Sequence, residues 1–204
     1  MKQGIKEYCD KRCKEFDQIS EERLSALAKI AAYIKYREDE PINLLFVCTH
    51  NSRRSMLGQI WAKVASRYFN LENVETYSGG TEVTAFHTNA VQALLHIGFD
   101  MTVEGDNENA IHNMIFDDIQ NASVCFSKLV DDKANPSDNF GTIMTCNHAD
   151  HNCPTVIGTD IRVSLPYVDP KSSDGTDKQM EACLNTSKEI AREMLYLFFI
   201  STEK

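Results

Sequence analysis

The sequence lacks any apolar run that approaches the roughly 20 residues of a membrane-spanning helix, and its first residues are too charged for a secretory signal. It also has little positive charge, because 21 Lys and Arg stand against 30 Asp and Glu for a formal net charge of −9. Without a basic patch, non-specific nucleic-acid binding is excluded as a main function. We therefore expect a cytoplasmic protein with no membrane partner and no nucleic-acid partner.

Cysteine is present, but not in the pattern of a small disulfide-stapled scaffold. The seven cysteines form an odd set spread over the chain, which predicts reduced thiols with a catalytic subset. They are Cys9, Cys13, Cys48, Cys125, Cys146, Cys153 and Cys183. Cys125 lies in a predicted apolar strand and Cys183 lies on an amphipathic helix, so both are expected in the core.

A chain of 204 residues fits one α/β domain with an appendage. Residues 1–41 are predicted to be an N-terminal helical extension. Apolar side chains recur there at helical spacing after Ser20, a candidate N-cap, and a charged stretch ends at Pro41. Residues 42–204 are predicted to form the main domain.

Apolar strands alternate with helices in this second part, which predicts a mostly parallel sheet covered on both faces. The predicted strands span residues 42–47, 74–77, 124–129, 143–145 and 161–165, and the predicted helices span residues 56–68, 88–97 and 177–200. Ligands of such sheets bind beyond the carboxyl ends of the strands. Cys48 falls at one of these ends.

The most informative segment is residues 44–55, in which an apolar strand delivers Cys48 into a loop that ends with Arg54 and Ser55 at the start of a helix. Such a loop can turn its N–H groups around a tetrahedral oxyanion, while the helix N-terminus and Arg54 add positive potential. The same field favours the nucleophilic thiolate of Cys48. The alternative is a structural cysteine at the end of a buried strand.

Residues 47–55 resemble the active-site loop of the low-molecular-weight protein tyrosine phosphatase superfamily, C-x5-R-S after the first strand, a superfamily that includes thioredoxin-coupled arsenate reductases. Residues 77–81 are similar to the second-strand Ser-Ala-Gly segment of those reductases, and residues 167–170 to the Asp-Pro loop that carries the general acid. The resemblance covers about residues 42–200. It implies a three-layer α/β/α fold on a four-stranded parallel sheet, with residues 42–204 as the catalytic domain.

The resemblance also implies a set of site residues. Cys48 is the nucleophile, Arg54 binds the oxyanion and Asp169 is the general acid. The oxyanion-binding loop comprises Thr49, His50, Asn51, Ser52, Arg53, Arg54 and Ser55, and the loop is supported by Asn51, Ser55 and Ser78. Support from Ser78 is expected to act through Asn51. The rivals of Asp169 are Asp160, Asp174 and Asp177.

A second pair of cysteines, Cys146 and Cys153, matches the two cysteines that these arsenate reductases place seven positions apart at the end of a strand. The resemblance then implies that Cys48 attacks arsenate, that Cys146 attacks the Cys48 sulfur, and that Cys153 forms a disulfide with Cys146. Thioredoxin or a similar thiol reductant would reduce that disulfide. The substrate is arsenate and no cofactor is expected.

Three alternatives stay open. In a tyrosine phosphatase, Cys48 attacks a phosphate ester, Asp169 protonates the leaving group, and water hydrolyses the phosphocysteine. In a non-catalytic oxyanion sensor, the loop only binds. A zinc site is the third, and its ligands would be Cys146, His148, His151 and Cys153. The spacing of these four is not that of an ordinary zinc finger, so no metal is expected.

Three positions depart from the reductase pattern. His50 stands where the family has glycine, which places a side chain in a loop that is otherwise bare. Arg53 stands where the family has cysteine and adds a second cation beside the anion. Some family reductases bind potassium through an acidic residue on the following helix. Gln59 stands at that position, which argues against potassium.

Overall fold

The computed structural model describes residues 1–37, 40–117, 121–152 and 155–203. The helices are α1 (Gln3–Cys13), α2 (Glu21–Tyr36), α3 (Arg54–Tyr68), α4 (Thr88–Ile97), α5 (Asn147–Asn152) and α6 (Gln179–Thr202). The strands are β1 (Ile42–Cys48), β2 (Val74–Gly80), β3 (Asp100–Glu104), β4 (Ile111–Ile115), β5 (Ala122–Cys125), β6 (Phe140–Met144) and β7 (Thr159–Ser164). Short 3₁₀ turns span Phe16–Gln18 and Pro170–Ser173.

A four-stranded parallel sheet with strand order β2-β1-β6-β7 organises the fold. Strand β1 is its second strand and is buried at every residue except Asn43, as expected for a continuous apolar run in a sheet covered on both faces. All four strands end at the same edge because they run in the same direction. That edge carries Cys48 and the residues that follow β6.

The sheet separates two hydrophobic clusters. Leu44 and Phe46 face the larger one, formed with α1, α2, α3, α4 and α6, whereas Leu45 and Val47 face a smaller one. The smaller cluster is closed by Ala149 of α5 and by Val156. The predicted three-layer fold with a four-stranded parallel sheet and N-terminal helices is therefore confirmed.

Most of the predicted elements are confirmed within one to three residues at their ends. The helix 88–97 has both of its predicted boundaries, and Gly98 follows it with φ of 118°. Only glycine adopts that left-handed conformation readily, so the helix ends there. The N–H of Gly98 donates to the carbonyl groups of Leu94 and Leu95.

The prediction of a parallel strand over residues 124–129 is wrong. Strand β5 spans Ala122–Cys125 and pairs antiparallel with β4, in a separate three-stranded sheet of order β3-β4-β5. Leu129 makes only an isolated bridge to Gly80. Strands β3 and β4 were not predicted, since they are short and β3 is mostly exposed, which leaves little hydrophobic pattern.

Helices α1 and α2 pack on α6 and share the larger hydrophobic cluster with the sheet. Ile5, Leu27 and Ile30 are fully buried there. Residues 1–37 therefore contribute to the same core as the rest of the chain. Among the described residues, no helix combines the length and the apolar character needed to cross a bilayer.

Candidate functional site

The loop between β1 and α3 turns its carbonyl groups outward, where neighbouring segments hold them. Each of these carbonyl oxygens accepts a hydrogen bond. The pairs are Thr49 O with Glu82 N (2.9 Å), His50 O with Thr84 Oγ1 (2.8 Å) and Ser127 Oγ (3.0 Å), and Ser52 O with His87 N (3.0 Å). With the carbonyl groups bound outside, the N–H groups are left for the inside of the loop.

The N–H groups of residues 49–54 have no hydrogen-bond acceptor within the described part of the protein. Arg53, at the N-cap of α3, has no side-chain capping bond either. A row of unpaired N–H groups at a helix N-terminus is an anion-binding arrangement. The loop can therefore hold a tetrahedral oxyanion next to Cys48.

Asn51 braces the loop from a left-handed backbone conformation with φ of 42°. Its Nδ2 donates to Ser55 Oγ at 2.8 Å, and its Oδ1 accepts from the backbone N–H of Lys128 at 2.9 Å. Ser55 Oγ in turn lies 3.1 Å from Cys48 Sγ. This chain of contacts orients the hydroxyl that faces the candidate nucleophile.

Ser78 does not take the role expected of it. Its hydroxyl is buried and has no hydrogen-bond partner in the described residues, so it makes no bond to Asn51. The two polar ends of Asn51 are occupied by Ser55 and Lys128 instead. The backbone amide of Lys128 could not be singled out in the sequence, because any residue type supplies it.

His50 causes no backbone strain, because its φ is not positive and glycine is not required there. Its side chain is half-exposed, with Nε2 3.5 Å from the Glu82 carboxylate. The close approach in this region is made by Gly80 instead. A Cβ there would lie 2.6 Å from Thr49 O and 2.8 Å from Asn51 N.

Arg54 and Asp169 are in contact. Arg54 Nη2 donates to Asp169 Oδ2 at 2.5 Å, and Arg54 Nη1 donates to Tyr167 O at 3.3 Å. Asp169 Oδ1 accepts from Lys171 N at 3.0 Å, which fixes the carboxylate at the start of the turn Pro170–Ser173. The predicted general acid, Asp169, therefore lies directly beside the predicted anion-binding arginine, Arg54, at the end of the loop.

The rivals of Asp169 are accounted for by their positions. Asp160 is at the amino end of β7, where it contacts Tyr33 and Arg37 away from the site. Asp177 is exposed. Asp174 pairs with Arg53 and also accepts from Asn89 Nδ2 at 3.1 Å. Arg53 is thus engaged by Asp174, whereas the sequence predicts a second cation beside the anion.

The two adjacent arginines of the loop hold both ends of one segment. Arg54 binds Asp169 and Arg53 binds Asp174. His87 lies beside this second pair, with Nε2 3.7 Å from Asp174 Oδ2. Burial and the charge of Arg53 lower the pKa of His87, against the opposing effect of Asp174. The contacts that join the loop and His87 to residues 169–174 could not be predicted from the local sequence, because the partners are more than 80 residues apart.

Cys146 is buried beside the loop. Its Sγ lies 3.5 Å from Thr49 Oγ1 and accepts from the Ala149 N–H at 3.3 Å. Thr49 Oγ1 is also 3.1 Å from His148 Nδ1. Cys146 belongs to the same small hydrophobic cluster as Cys48. Cys153 lies outside the described residues.

The described residues contain no group of three or more His, Cys, Asp or Glu that could hold a metal ion. Cys153 and the side chain of His151, two members of the zinc alternative, are not among them. At the position considered for potassium, Gln59 donates from Nε2 to Val124 O at 2.9 Å.

No protein-family model matches the sequence. Among curated proteins, the chain is similar to the arsenate reductase of Halalkalibacterium halodurans, with 27% identity over 136 residues, 67% of this chain and 79% of that protein. The arsenate reductase of Brevibacillus brevis is 29% identical over 137 residues, 67% of this chain and 82% of that protein.

Solved structures share the fold. A low-molecular-weight phosphotyrosine phosphatase from Vibrio cholerae O395 superposes with a TM-score of 0.53 at 14% identity, covering 78% of this chain and 94% of that one. An arsenate reductase in its oxidised state has a TM-score of 0.51 at 16% identity, covering 78% and 98%. The sequence and structure comparisons together confirm the predicted resemblance to this superfamily and the prediction of an enzyme.

Proposed function

We propose, on the premise of this superfamily, that the protein is an arsenate reductase that works through a relay of cysteine thiols. The nucleophile is Cys48, which the Ser55 hydroxyl faces at 3.1 Å. Arsenate is held by the N–H groups of residues 49–54 and by Arg54. The reaction proposed needs no resident cofactor or metal.

In the first step the Cys48 thiolate attacks arsenic, a sulfur–arsenic bond forms and a hydroxyl group leaves. Asp169 hands its proton to the departing oxygen, which makes water the leaving group. The 2.5 Å contact between Arg54 and Asp169 supports this assignment, because an oxyanion bound to Arg54 then lies next to the carboxyl group. Arsenic is still in its pentavalent state at this point.

The observation that carries the proposal is the position of Cys146. Its sulfur is buried 3.5 Å from the hydroxyl of Thr49, the residue next to Cys48. A phosphatase that releases its product with water has no use for a second thiol at this place. A relay needs a thiol with access to the first sulfur.

In the second step Cys146 attacks the Cys48 sulfur. A disulfide forms, the sulfur–arsenic bond breaks, and its electron pair reduces arsenic to the trivalent state, so arsenite leaves. Cys153 then attacks Cys146, which releases the Cys48 thiolate and leaves a Cys146–Cys153 disulfide. Thioredoxin or a similar dithiol reduces that disulfide. Such reductants would be available to the protein in the cytoplasm.

The test follows arsenate reduction with thioredoxin, thioredoxin reductase and NADPH. Cys48→Ser, Cys146→Ala and Cys153→Ala are each expected to abolish turnover. Cys125→Ala, which removes a buried thiol of the antiparallel sheet, is expected to keep it. Mass spectrometry after arsenate exposure should find the Cys146–Cys153 disulfide in the wild type.

The opposite result would favour the phosphatase. It consists of full turnover of an aryl phosphate by Cys146→Ala and Cys153→Ala, with no arsenate reduced by the wild type. Binding of phosphate without either reaction would favour the oxyanion sensor.

A further inference from the structure

We propose that His148 accepts the proton of Cys146 through the hydroxyl of Thr49, and thereby makes the second thiol of the relay a nucleophile. The inference rests on the proposed function and adds to it a residue outside the loop and the relay cysteines. His148 acts through Thr49, so it is a positioning residue for the step, not one that touches the reacting sulfur.

The geometry is a three-membered chain. Thr49 Oγ1 lies 3.5 Å from Cys146 Sγ on one side and 3.1 Å from His148 Nδ1 on the other. A hydroxyl is both a donor and an acceptor, so it can pass a proton between two such neighbours. His148 is exposed and lies at the far end of this series of contacts from Cys146.

The hydrogen bonds are satisfied before and after transfer. Before it, the Cys146 thiol donates to Thr49 Oγ1, whose own hydrogen points to His148 Nδ1. After it, protonated His148 donates to Thr49 Oγ1, and the Thr49 hydroxyl donates to the Cys146 thiolate. The Ala149 N–H, 3.3 Å from the sulfur, adds a second donor to that thiolate.

Histidine suits this role because a neutral imidazole nitrogen accepts a proton and, once protonated, donates a hydrogen bond from the same atom. The base is needed because Cys146 is buried with no cation in contact with its sulfur among the described groups. Attack by the resulting thiolate forms the Cys48–Cys146 disulfide and releases arsenite, and the proton stays on His148 until solvent removes it.

Other titratable groups lie around Cys146, Thr49 and His148. On α5, Asp150 forms an ion pair with Arg162 of β7 at 2.5 Å. On the loop, His50 faces Glu82. On β1, the Cys48 thiol shares the cluster of Cys146. The Cys48 thiolate would oppose a second thiolate, so the titration is best measured with Cys48 replaced by serine.

The experiment measures the ultraviolet absorbance of the Cys146 thiolate against pH in Cys48→Ser protein, with Cys48→Ser/Cys146→Ala as the blank. Adding His148→Gln is expected to move the titration midpoint upward by about one pH unit, a roughly tenfold loss of thiolate at neutral pH. Thr49→Val should have the same effect and Thr49→Ser should not. His96→Gln, which removes an exposed histidine on α4, is the matched control.

A second measurement uses the protein with Cys48 intact. The single-turnover rate of disulfide formation with arsenate should fall about tenfold in His148→Gln at pH 7 and recover at pH 9, where the thiol ionises unaided. A loss of rate that persists at pH 9 would mean a merely structural role and would overturn the inference.

The two proposals fail in different ways. If the wild type forms no Cys146–Cys153 disulfide, the proposed reductase is wrong, whatever His148 does. If the disulfide forms but His148→Gln leaves the thiolate titration unchanged, the reductase stands and the role of His148 is wrong.

Discussion

At the residue scale, the buried cysteines differ in what surrounds each sulfur. Cys9 and Cys125 are fully buried, and burial raises the pKa of each thiol to about 12. Both are therefore protonated and inert at neutral pH. Cys48 is also buried, but its sulfur faces the Ser55 hydroxyl at the mouth of a loop with unpaired N–H groups. The unpaired N–H groups of the adjoining loop, more than burial, distinguish the candidate nucleophile.

His87 provides a residue-scale prediction about pH. Its Nδ1 accepts from the Asn89 N–H at 3.2 Å and so caps α4, and its pKa is lowered by burial and by Arg53. In the unfolded chain His87 therefore binds a proton as the pH falls through about 6.5, whereas in the folded protein it binds that proton only at a lower pH. Below about pH 6.5 the free energy of unfolding should fall as pH falls, because the unfolded state holds more protons.

His87→Asn tests this linkage while keeping an N-capping side chain. Urea unfolding of both proteins should give a free-energy difference that favours the wild type less at pH 5.5 than at pH 7.5. A difference that stays constant between these pH values would contradict the depressed pKa of His87.

At the element scale, the loop between β1 and α3 depends on a close contact with strand β2. Phe46 of β1 pairs with Ser78 of β2, and Gly80 ends β2 directly under the loop. A side chain at Gly80 would meet the backbone of residues 49–51, which cannot move aside without turning the N–H groups of the loop. The loop that follows β1 can therefore keep its shape only with glycine at position 80 in β2.

We expect Gly80→Ala to weaken binding of inorganic phosphate at least tenfold and to destabilise the fold by about 1–3 kcal/mol, since overpacking forces the backbone to shift. Calorimetric titration and urea unfolding measure the two effects. Gly4→Ala is the matched control, because Gly4 lies in α1 with open space around it. Equal phosphate affinity in Gly80→Ala and the wild type would show that the contact does not shape the loop.

At the scale of the whole molecule, the N-terminal helices reach the segment that carries Asp169. Arg23 of α2 donates to Glu193 of α6 and, through Nη1, to Pro166 O at 2.8 Å. The Tyr167 hydroxyl also donates to Glu193, at 2.7 Å, and the Arg23 guanidinium stacks on the Tyr167 ring. Helix α2, which lies outside the family resemblance, therefore supports Pro166 and Tyr167 at the start of the segment that carries Asp169.

Arg23→Met should destabilise the protein by about 3–5 kcal/mol, because it leaves the Glu193 carboxylate buried without its cation. Arg23→Met/Glu193→Gln should recover part of that loss. Lys6→Met, which removes one side of an exposed ion pair with Asp10, should change stability far less than Arg23→Met does. Urea unfolding measures all three, and a double variant no more stable than Arg23→Met would argue against an unpaired buried charge.

The elements that could be predicted from the sequence are those set by interactions between residues close together in the chain. The apolar run before Cys48 and the glycine after residue 97 act locally, so β1 and the end of α4 could be predicted. Strand β5 was assigned to the wrong sheet because an apolar stretch does not specify its partner. The bond expected between Ser78 and Asn51 is not formed, since a backbone N–H from a distant segment occupies the asparagine.

The sequence by itself determined the four strands of the parallel sheet, the helices α3, α4 and α6, the loop of Cys48 and Arg54, and the superfamily it resembles, since these depend on local apolar patterns and short spacings. Only the tertiary structure decided which groups meet at the loop: Asp169 on Arg54, Asp174 on Arg53, and Cys146 with His148 on Thr49. Those contacts join residues about 100 positions apart, and chain packing, not any local preference, brings them together.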